Sequence, residues 1–199
     1  MLNGVFDEIF SFDLIDAKKY NFTFISNYIY LTKRELFSKH LNENIFIVIS
    51  IDERFDFLNK LANYLSEHAI PFKFIAVGKK APQNSNHNII YSKNLVYPEA
   101  LQTDFENSKI FLDLIRKDHN GLSFRIFEAL AMQKKIITTN KSIREYDFYN
   151  PNNILVLDEN TTITINPDFL TTPYEPLSDE IYHKYTVENW VKIVFDLQH

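Results

Sequence analysis

The sequence predicts an α/β protein with a doubly wound, mainly parallel sheet. Strand-like and helix-like segments alternate through the middle of the chain, which is the pattern of a parallel sheet wrapped by helices. Residues 44–51 are almost continuously apolar and β-branched, as expected for a central strand covered on both faces. No repeat, low-complexity tract or linker divides the 199 residues, so we expect a single domain over residues 1–199.

Apolar runs bounded by polar residues mark the predicted strands, and apolar residues at the spacing of one helical face mark the helices. Asp52 is expected to cap the helix after the central strand, which should end before Pro71. Pro98 opens a later helix, at a position where proline is tolerated. The other strands are predicted at residues 5–12, 72–78, 88–91, 110–115, 135–139 and 153–157, and the other helices at residues 16–19, 122–132 and 186–195.

Residues 159–199 are expected to be a loop-rich tail that ends in a C-terminal helix. Three prolines interrupt its first part: Pro167, Pro173 and Pro176. The helix itself is amphipathic, and its apolar stripe consists of Trp190, Val191, Val194 and Phe195. Such a stripe must either dock on the rest of the chain or serve as an attachment surface for a partner.

Composition excludes several classes of function. With 26 acidic and 21 basic residues, a net charge of -5 and no long basic run, nucleic acid is not an expected partner. The chain has no cysteine, and its six histidines are scattered without a metal-binding pair, so no metal is indicated. The only glycines are Gly4, Gly78 and Gly121, which rules out glycine-rich dinucleotide and Walker A loops and leaves no resident cofactor indicated. Without a signal peptide or an apolar run of about 18 residues, the expected location is the cytoplasm.

Gly121 lies where a predicted strand hands over to a helix, and the ligands of open α/β sheets collect at that edge. The amides of Leu122 and Ser123 would be free donors of the first helical turn, suited to a diphosphate. The alternative is that Asn120-Gly121 is a simple turn with Ser123 as an ordinary helix-start residue.

Charged residues near the same edge allow two interpretations each. Arg125 and Glu128 share a helix face and could meet a phosphate and a ribose diol, or they could form an intrahelical ion pair contributing about 0.2 to 0.5 kcal/mol. Arg54 follows the central strand and could reach a diphosphate, or it could be a solvated residue of a helix start. His119 is a candidate sugar contact or an exposed loop histidine.

The segments 121–131 and 134–140 resemble the nucleotide-sugar site of GT-B glycosyltransferases, and more narrowly that of bacterial capsule and lipopolysaccharide biosynthesis members. Residues 10–13 with 16–20, and residues 144–154, resemble further blocks of the same group. The resemblance implies a Rossmann-like domain that corresponds to the C-terminal, donor-binding half of such enzymes. Residues 1–40 would then be a crossover region from an N-terminal acceptor domain.

The resemblance also implies roles for individual residues. Glu128 matches the glutamate that bonds the donor ribose. The diphosphate positions fall on Arg54, Gly121, Leu122, Ser123 and Arg125. Asn120 stands where family members commonly carry an acid that touches the sugar, and His119 lies beside it. Gln133 replaces the glycine usual after the helix, so we expect that tight loop to be rearranged. No catalytic base can be assigned, because inverting members take it from the other half.

These observations predict the donor-binding half of a glycosyltransferase of lipopolysaccharide or capsular polysaccharide assembly. Its substrates would be a nucleoside-diphosphate sugar and a saccharide or lipid-linked saccharide acceptor, at the inner face of the plasma membrane. Activity would need a separate N-terminal domain partner, or the chain would assemble with further copies of itself. The alternative is a non-catalytic nucleotide-sugar-binding or assembly subunit. A receiver-like regulatory domain, using Asp13 and Lys79, suits the sequence only loosely.

Overall fold

The computed structural model describes residues 6–31, 42–94 and 98–197. Strands and helices alternate through its central part, as the sequence pattern predicts. The strands are β1 (Phe10–Ser11), β2 (Thr23–Phe24), β3 (Asn42–Ser50), β4 (Phe72–Val77), β5 (Ile90–Ser92), β6 (Ser108–Asp113), β7 (Lys135–Thr138) and β8 (Ile154–Val156). The helices are α1 (Leu14–Tyr20), α2 (Phe55–Glu67), α3 (Pro98–Asn107), α4 (Phe124–Ala131), α5 (Pro167–Thr171), α6 (Asp179–Lys184) and α7 (Val187–Val194), with a 3-10 turn at Lys141–Glu145.

Six strands form one all-parallel sheet in the order β5-β4-β3-β6-β7-β8. The central position predicted for the strand at 44–51 is confirmed, because β3 pairs with β4 on one side and with β6 on the other. The chain adds strands outward from β3 to β5, then returns through α3 to β6 and adds strands in the opposite direction. This is the strand order of a doubly wound, Rossmann-like sheet, so the predicted fold class is confirmed.

Helices cover both faces of the sheet and bury its apolar side chains. On one face, α2 contributes Leu58, Leu61 and Leu65 to a cluster that includes Ile47 and Phe74. On the other face, α4 contributes Ile126, Phe127 and Leu130 to a cluster that includes Phe46 and Phe111. Alternate residues of β3 therefore point to opposite faces, and both faces are covered, which explains its continuous apolar sequence.

The N-terminal segment, residues 6–31, contains less strand than expected. The predicted strand over 5–12 is wrong in extent: β1 holds two residues and pairs only with β2, because the preceding Asp7 and Glu8 are polar; Val5 lies outside the described residues. Asp13 caps α1 through its carboxylate, which accepts hydrogen bonds from the amides of Ile15 and Asp16. Asp13 therefore does not end a strand of the main sheet, and the geometry of a receiver domain is not found.

The C-terminal part contains two short helices that the loop prediction missed. In α5, Asn166 caps the helix and Pro167 opens it, and in α6 the cap is Ser178. Both helices are too short for an apolar period to be recognised.

The apolar stripe predicted for the C-terminal helix is packed against the chain at one end and exposed at the other. Trp190 packs against Tyr28 with ring centroids 4.9 Å apart, whereas Phe195 is 65% exposed. No helix in the described part of the chain has the length and apolarity that a membrane crossing demands.

The end of α4 keeps the tight geometry that the sequence led us to doubt. Gln133 adopts a left-handed backbone with φ 52°, and the amides of Gln133 and Lys134 bond back to the carbonyls of Leu130 and Ala129. Our expectation of a rearranged loop is wrong, because Gln133 adopts the left-handed conformation that glycine usually takes after a helix. A side chain in this conformation strains the backbone.

Gln133→Gly should stabilise the protein by about 0.5 to 1 kcal/mol. Glycine removes the cost of the left-handed conformation, about 1 to 2 kcal/mol for an L-residue, but loses more backbone entropy on folding, which offsets part of the gain. Urea unfolding measures the change. Ala69→Gly is the companion variant, since Ala69 is exposed and has φ 52° after α2. A loss of stability in both variants would contradict the strain argument.

Two buried lysines follow this turn, at the start of β7. Lys134 is 6% exposed, and its ammonium donates to the carbonyl of Glu106 at 2.7 Å. Lys135 is 2% exposed and donates to the carbonyl of Phe169 and the hydroxyl of Thr172. Burial lowers the pKa of Lys134 to about 8, so its charged form is destabilised in the folded state.

The free energy of unfolding should rise by about 1 to 2 kcal/mol between pH 7.5 and 9.5, because the folded chain releases the Lys134 proton in that window while the unfolded lysine keeps it. Lys134→Met should remove most of this rise, as measured by urea unfolding at both pH values. Lys60→Met, at an exposed position of α2, is the control and should keep the rise. Parallel pH profiles for wild type and Lys134→Met would contradict the assignment.

Candidate functional site

The strand order creates a crevice between β3 and β6. The chain leaves these neighbouring strands toward opposite ends of the sheet, so their exit loops, residues 51–54 and 114–123, diverge at the carboxyl edge. Open α/β sheets bind ligands at such a switch point. Nearly all the site residues predicted from the sequence fall on these two loops or on the start of α4.

Arg54 lies on the β3 side of the crevice and is held on two sides. Its Nε donates to the carboxylate of Asp52 at 2.8 Å, and its Nη1 donates to the carbonyl of Leu114 at 3.1 Å, across the crevice. The Nε of Arg116 lies 3.6 Å from the same carboxylate. The hydrogen bonds from Arg54 hold the pKa of Asp52 below its usual value. Asp52 is not the predicted cap of α2; the N-cap position is Arg54, and Asp52 orients the arginine instead.

Asp113 closes β6 at the bottom of the crevice, and sequence reasoning missed it. The residue is 3% exposed, and its carboxylate accepts hydrogen bonds from Ser123 Oγ at 2.7 Å and Thr138 Oγ1 at 3.0 Å. The Nη1 of Arg125 lies 3.7 Å from it, and the Nη2 of Arg125 donates to the carbonyl of Val48 at 2.9 Å. Arg125 thus reaches from α4 back to β3. The available signal was a single acid inside the apolar run of residues 110–115.

The two helices that start at the crevice both lack a side-chain cap. Neither Arg54, before α2, nor Ser123, before α4, makes a capping hydrogen bond to its helix. The other helices whose caps are described all have one, from Asp13, Asn140, Asn166, Ser178 or Thr186. No side chain therefore occupies a first-turn amide at the crevice, and these amides can bind another acceptor, except those of Phe55 and Ile126, which bond to the carbonyls of Asp52 and Ser123. In α4 these amides begin at Phe124, two residues later than the sequence predicted, because the backbone of Ser123 is still extended, with φ -72° and ψ 157°.

Glu128 lies one turn into α4, half-buried, and its carboxylate accepts a hydrogen bond from the hydroxyl of Tyr30. The alternative of an intrahelical ion pair between Arg125 and Glu128 is not realised, since Arg125 turns to Asp113 and Val48. Burial, followed by the bond to Glu128, raises the pKa of the Tyr30 hydroxyl well above its usual value. Tyr30 was not predicted, because nothing in the local sequence of residues 27–31 indicates this contact.

The N-terminal segment lies over the loop that carries Asn120 and Gly121. The amide and side chain of Asn120 donate to the carboxylate of Asp13 at 3.3 and 3.4 Å. A Cβ at Gly121 would stand 2.3 Å from the ring of Phe12 and 2.8 Å from its carbonyl oxygen, so glycine is needed here for close approach. His119 is exposed on the loop, and its backbone amide donates to the carbonyl of Arg116 at 3.2 Å.

The structure therefore brings Arg54, Ser123 and Arg125 to one crevice, with Glu128 farther along α4 and Asn120 under the N-terminal segment. Fold and site together define a doubly wound α/β protein whose candidate site is the crevice at the β3/β6 switch point. Among the described residues, no three acidic or histidine side chains are grouped as metal ligands would be.

No protein-family model matches the chain, and no curated protein matches it. Among solved structures, the chain is similar to one chain in the crystal structure of a GtfA/B complex, with a TM-score of 0.48 and 10% identity over 88% of this chain. This chain spans 40% of the length of that relative. A likeness of this size assigns neither an activity nor a substrate.

Gly121→Ala should destabilise the protein by about 1 to 3 kcal/mol and displace the N-terminal segment, because the new Cβ meets the backbone of Phe12. The single tryptophan, Trp190, packs on Tyr28 of that segment, so its emission should shift to the red. Gly78→Ala is the control: the three atoms nearest to its Cβ would all belong to the side chain of Ile51, the closest being the terminal Cδ1 at 2.8 Å, so it should cost less than a clash with backbone. Equal costs, with unchanged emission in Gly121→Ala, would contradict this packing.

Proposed function

We propose that this chain is the donor-binding half of a glycosyltransferase that uses a nucleoside-diphosphate sugar. The observation that carries the proposal is the convergence of two uncapped helix starts with Arg54 and Arg125 at the β3/β6 switch point. Free amides and guanidinium groups are what a diphosphate requires. The sequence resemblance at residues 121–131 supports the same assignment independently.

The charges of the crevice suit a diphosphate that is bound and then released. Three guanidinium groups, from Arg54, Arg116 and Arg125, face two carboxylates, from Asp52 and Asp113, which leaves one positive charge in excess. The carboxylates fix the guanidinium groups before a ligand arrives, so little side-chain entropy remains to be lost on binding. Such prearranged donors stabilise negative charge as it develops on a leaving group.

In the proposed reaction, the bond between the anomeric carbon of the sugar and the diphosphate oxygen breaks. A bond forms between that carbon and an acceptor hydroxyl oxygen, whose proton passes to a base. The arginines and helix starts would stabilise the departing diphosphate, Glu128 would hold the ribose diol, and Asn120 and His119 would lie on the sugar side. We assign the base and the acceptor contacts to a facing domain or partner subunit. Exposed apolar side chains at the end of α7 and just after it, from Ile193, Phe195 and Leu197, offer attachment area for such a partner.

The pathway part of the proposal rests on the sequence resemblance alone. In this part of the proposal, the chain acts in lipopolysaccharide or capsular polysaccharide assembly, in the cytoplasm at the inner face of the plasma membrane. Its acceptor is a saccharide or lipid-linked saccharide. A non-catalytic binding subunit would share the donor site, so donor binding is the property to test first.

Titration calorimetry with UDP, GDP and ADP should detect binding of one of them, and Glu128→Gln should weaken that binding about tenfold. The loss reflects a charge-assisted hydrogen bond of about 1.5 kcal/mol between the diol and the carboxylate. The melting temperature should change little, because Glu128 is half-buried and its partner Tyr30 can bond to an amide as well.

Glu67→Gln is the matched control, since Glu67 is exposed at the end of α2, on the opposite edge of the sheet. Its affinity should equal that of the wild type. If none of the three nucleotides binds at concentrations up to millimolar, the donor-site proposal is wrong. A lower melting temperature with unchanged affinity in Glu128→Gln would make the glutamate structural.

A further inference from the structure

Tyr30 stands at the point where the N-terminal segment meets the residue proposed to hold the ribose. Its hydroxyl donates to Oε1 of Glu128. Its ring packs edge-on against Phe124, at the start of α4, with centroids 5.9 Å apart. The residue is 48% exposed, so the contact lies on the surface and not in the core.

The backbone that carries Tyr30 is fixed on two sides. Ile29 is 2% exposed; its amide donates to the carbonyl of Tyr185 at 2.6 Å, and its carbonyl accepts from the amide of Val187 at 3.0 Å. The side chain of Asn27 donates to the carbonyl of Leu122 at 2.8 Å. The hydroxyl of Tyr30 is therefore presented to α4 from a rigid support.

Glu128 gains orientation from this contact without losing its capacity to bind. A carboxylate offers about four acceptor positions on its two oxygens, and Tyr30 uses one of them. A glutamate on a helix surface otherwise rotates freely and must be ordered by its ligand, which weakens binding. A glutamate already held can receive two hydroxyl groups of a diol at once.

We propose that Tyr30 is a positioning residue of the ribose subsite, which holds the carboxylate of Glu128 in the orientation that a vicinal diol requires. The proposal rests on the proposed function of Glu128. The raised pKa of the Tyr30 hydroxyl fits this role, because the phenol stays protonated and remains a donor at all physiological pH values. The edge-on contact with Phe124 fixes the ring at the same time.

The test compares a ribonucleoside diphosphate with its 2′-deoxy form, using whichever base the wild-type chain binds. Wild type should prefer the ribo form by about tenfold, because the deoxy form offers Glu128 one hydroxyl fewer. Tyr30→Phe should bind the ribo form about three- to tenfold more weakly and leave the affinity for the deoxy form nearly unchanged. A purely structural role would lower both affinities equally.

Tyr28→Phe is the matched control, because the Tyr28 ring also packs edge-on against Phe124, at 5.4 Å, and should keep the full preference for ribose. Glu128→Gln should lose that preference as Tyr30→Phe does. If wild type discriminates and Tyr30→Phe discriminates equally well, the positioning role is wrong and the donor site stands. If wild type binds neither form, the donor site itself is wrong and the role of Tyr30 falls with it.

Discussion

The geometry of the crevice depends on the buried carboxylate of Asp113. Its two oxygens accept hydroxyl groups from Ser123 at the start of α4 and from Thr138 at the end of β7, and the guanidinium of Arg125 lies beside it. A buried carboxylate without such partners would cost several kcal/mol. Satisfying it requires β6, β7 and the first turn of α4 to keep one mutual arrangement, and this arrangement shapes the β6 side of the crevice.

The same carboxylate explains why α4 begins without a cap. Serine at an N-cap position ordinarily bonds to an amide of its own helix. Here Asp113 accepts the hydroxyl of Ser123, so no side chain occupies the amides of Phe124 and Arg125, whereas the amide of Ile126 bonds to the carbonyl of Ser123. On the β3 side, the carboxylate of Asp52 similarly accepts a hydrogen bond from the guanidinium of Arg54 and does not cap α2. Asp52 thus orients the guanidinium of Arg54, and Asp113 keeps the hydroxyl of Ser123 away from the first turn of α4.

Sequence reasoning succeeded where a local pattern carries the signal and failed where distant segments meet. The apolar run of β3 and the one-sided apolar faces of α2 and α4 follow from periodicity, so the sheet and its helices could be predicted. The candidate site was predicted only in part: Arg54, Ser123 and Arg125 do reach one edge. The partners Asp113 and Tyr30 could not be predicted, because their roles depend on contacts across 10 and 98 positions of sequence separation. Short helices such as α5 could not be predicted, because they are too short to show an apolar period.

The N-terminal segment contacts the predicted donor motif at successive points, which gives the early sequence block a physical role. Phe12 packs on Gly121, Asn27 bonds to the carbonyl of Leu122, and Tyr30 bonds to Glu128. The blocks at residues 10–13 and 121–131, which share one family resemblance, therefore lie against each other in space. Glycine at position 121 is explained by the close approach of Phe12 as fully as by the approach of a phosphate. A motif of this kind encodes the packing that holds the site together along with the groups that would bind a ligand.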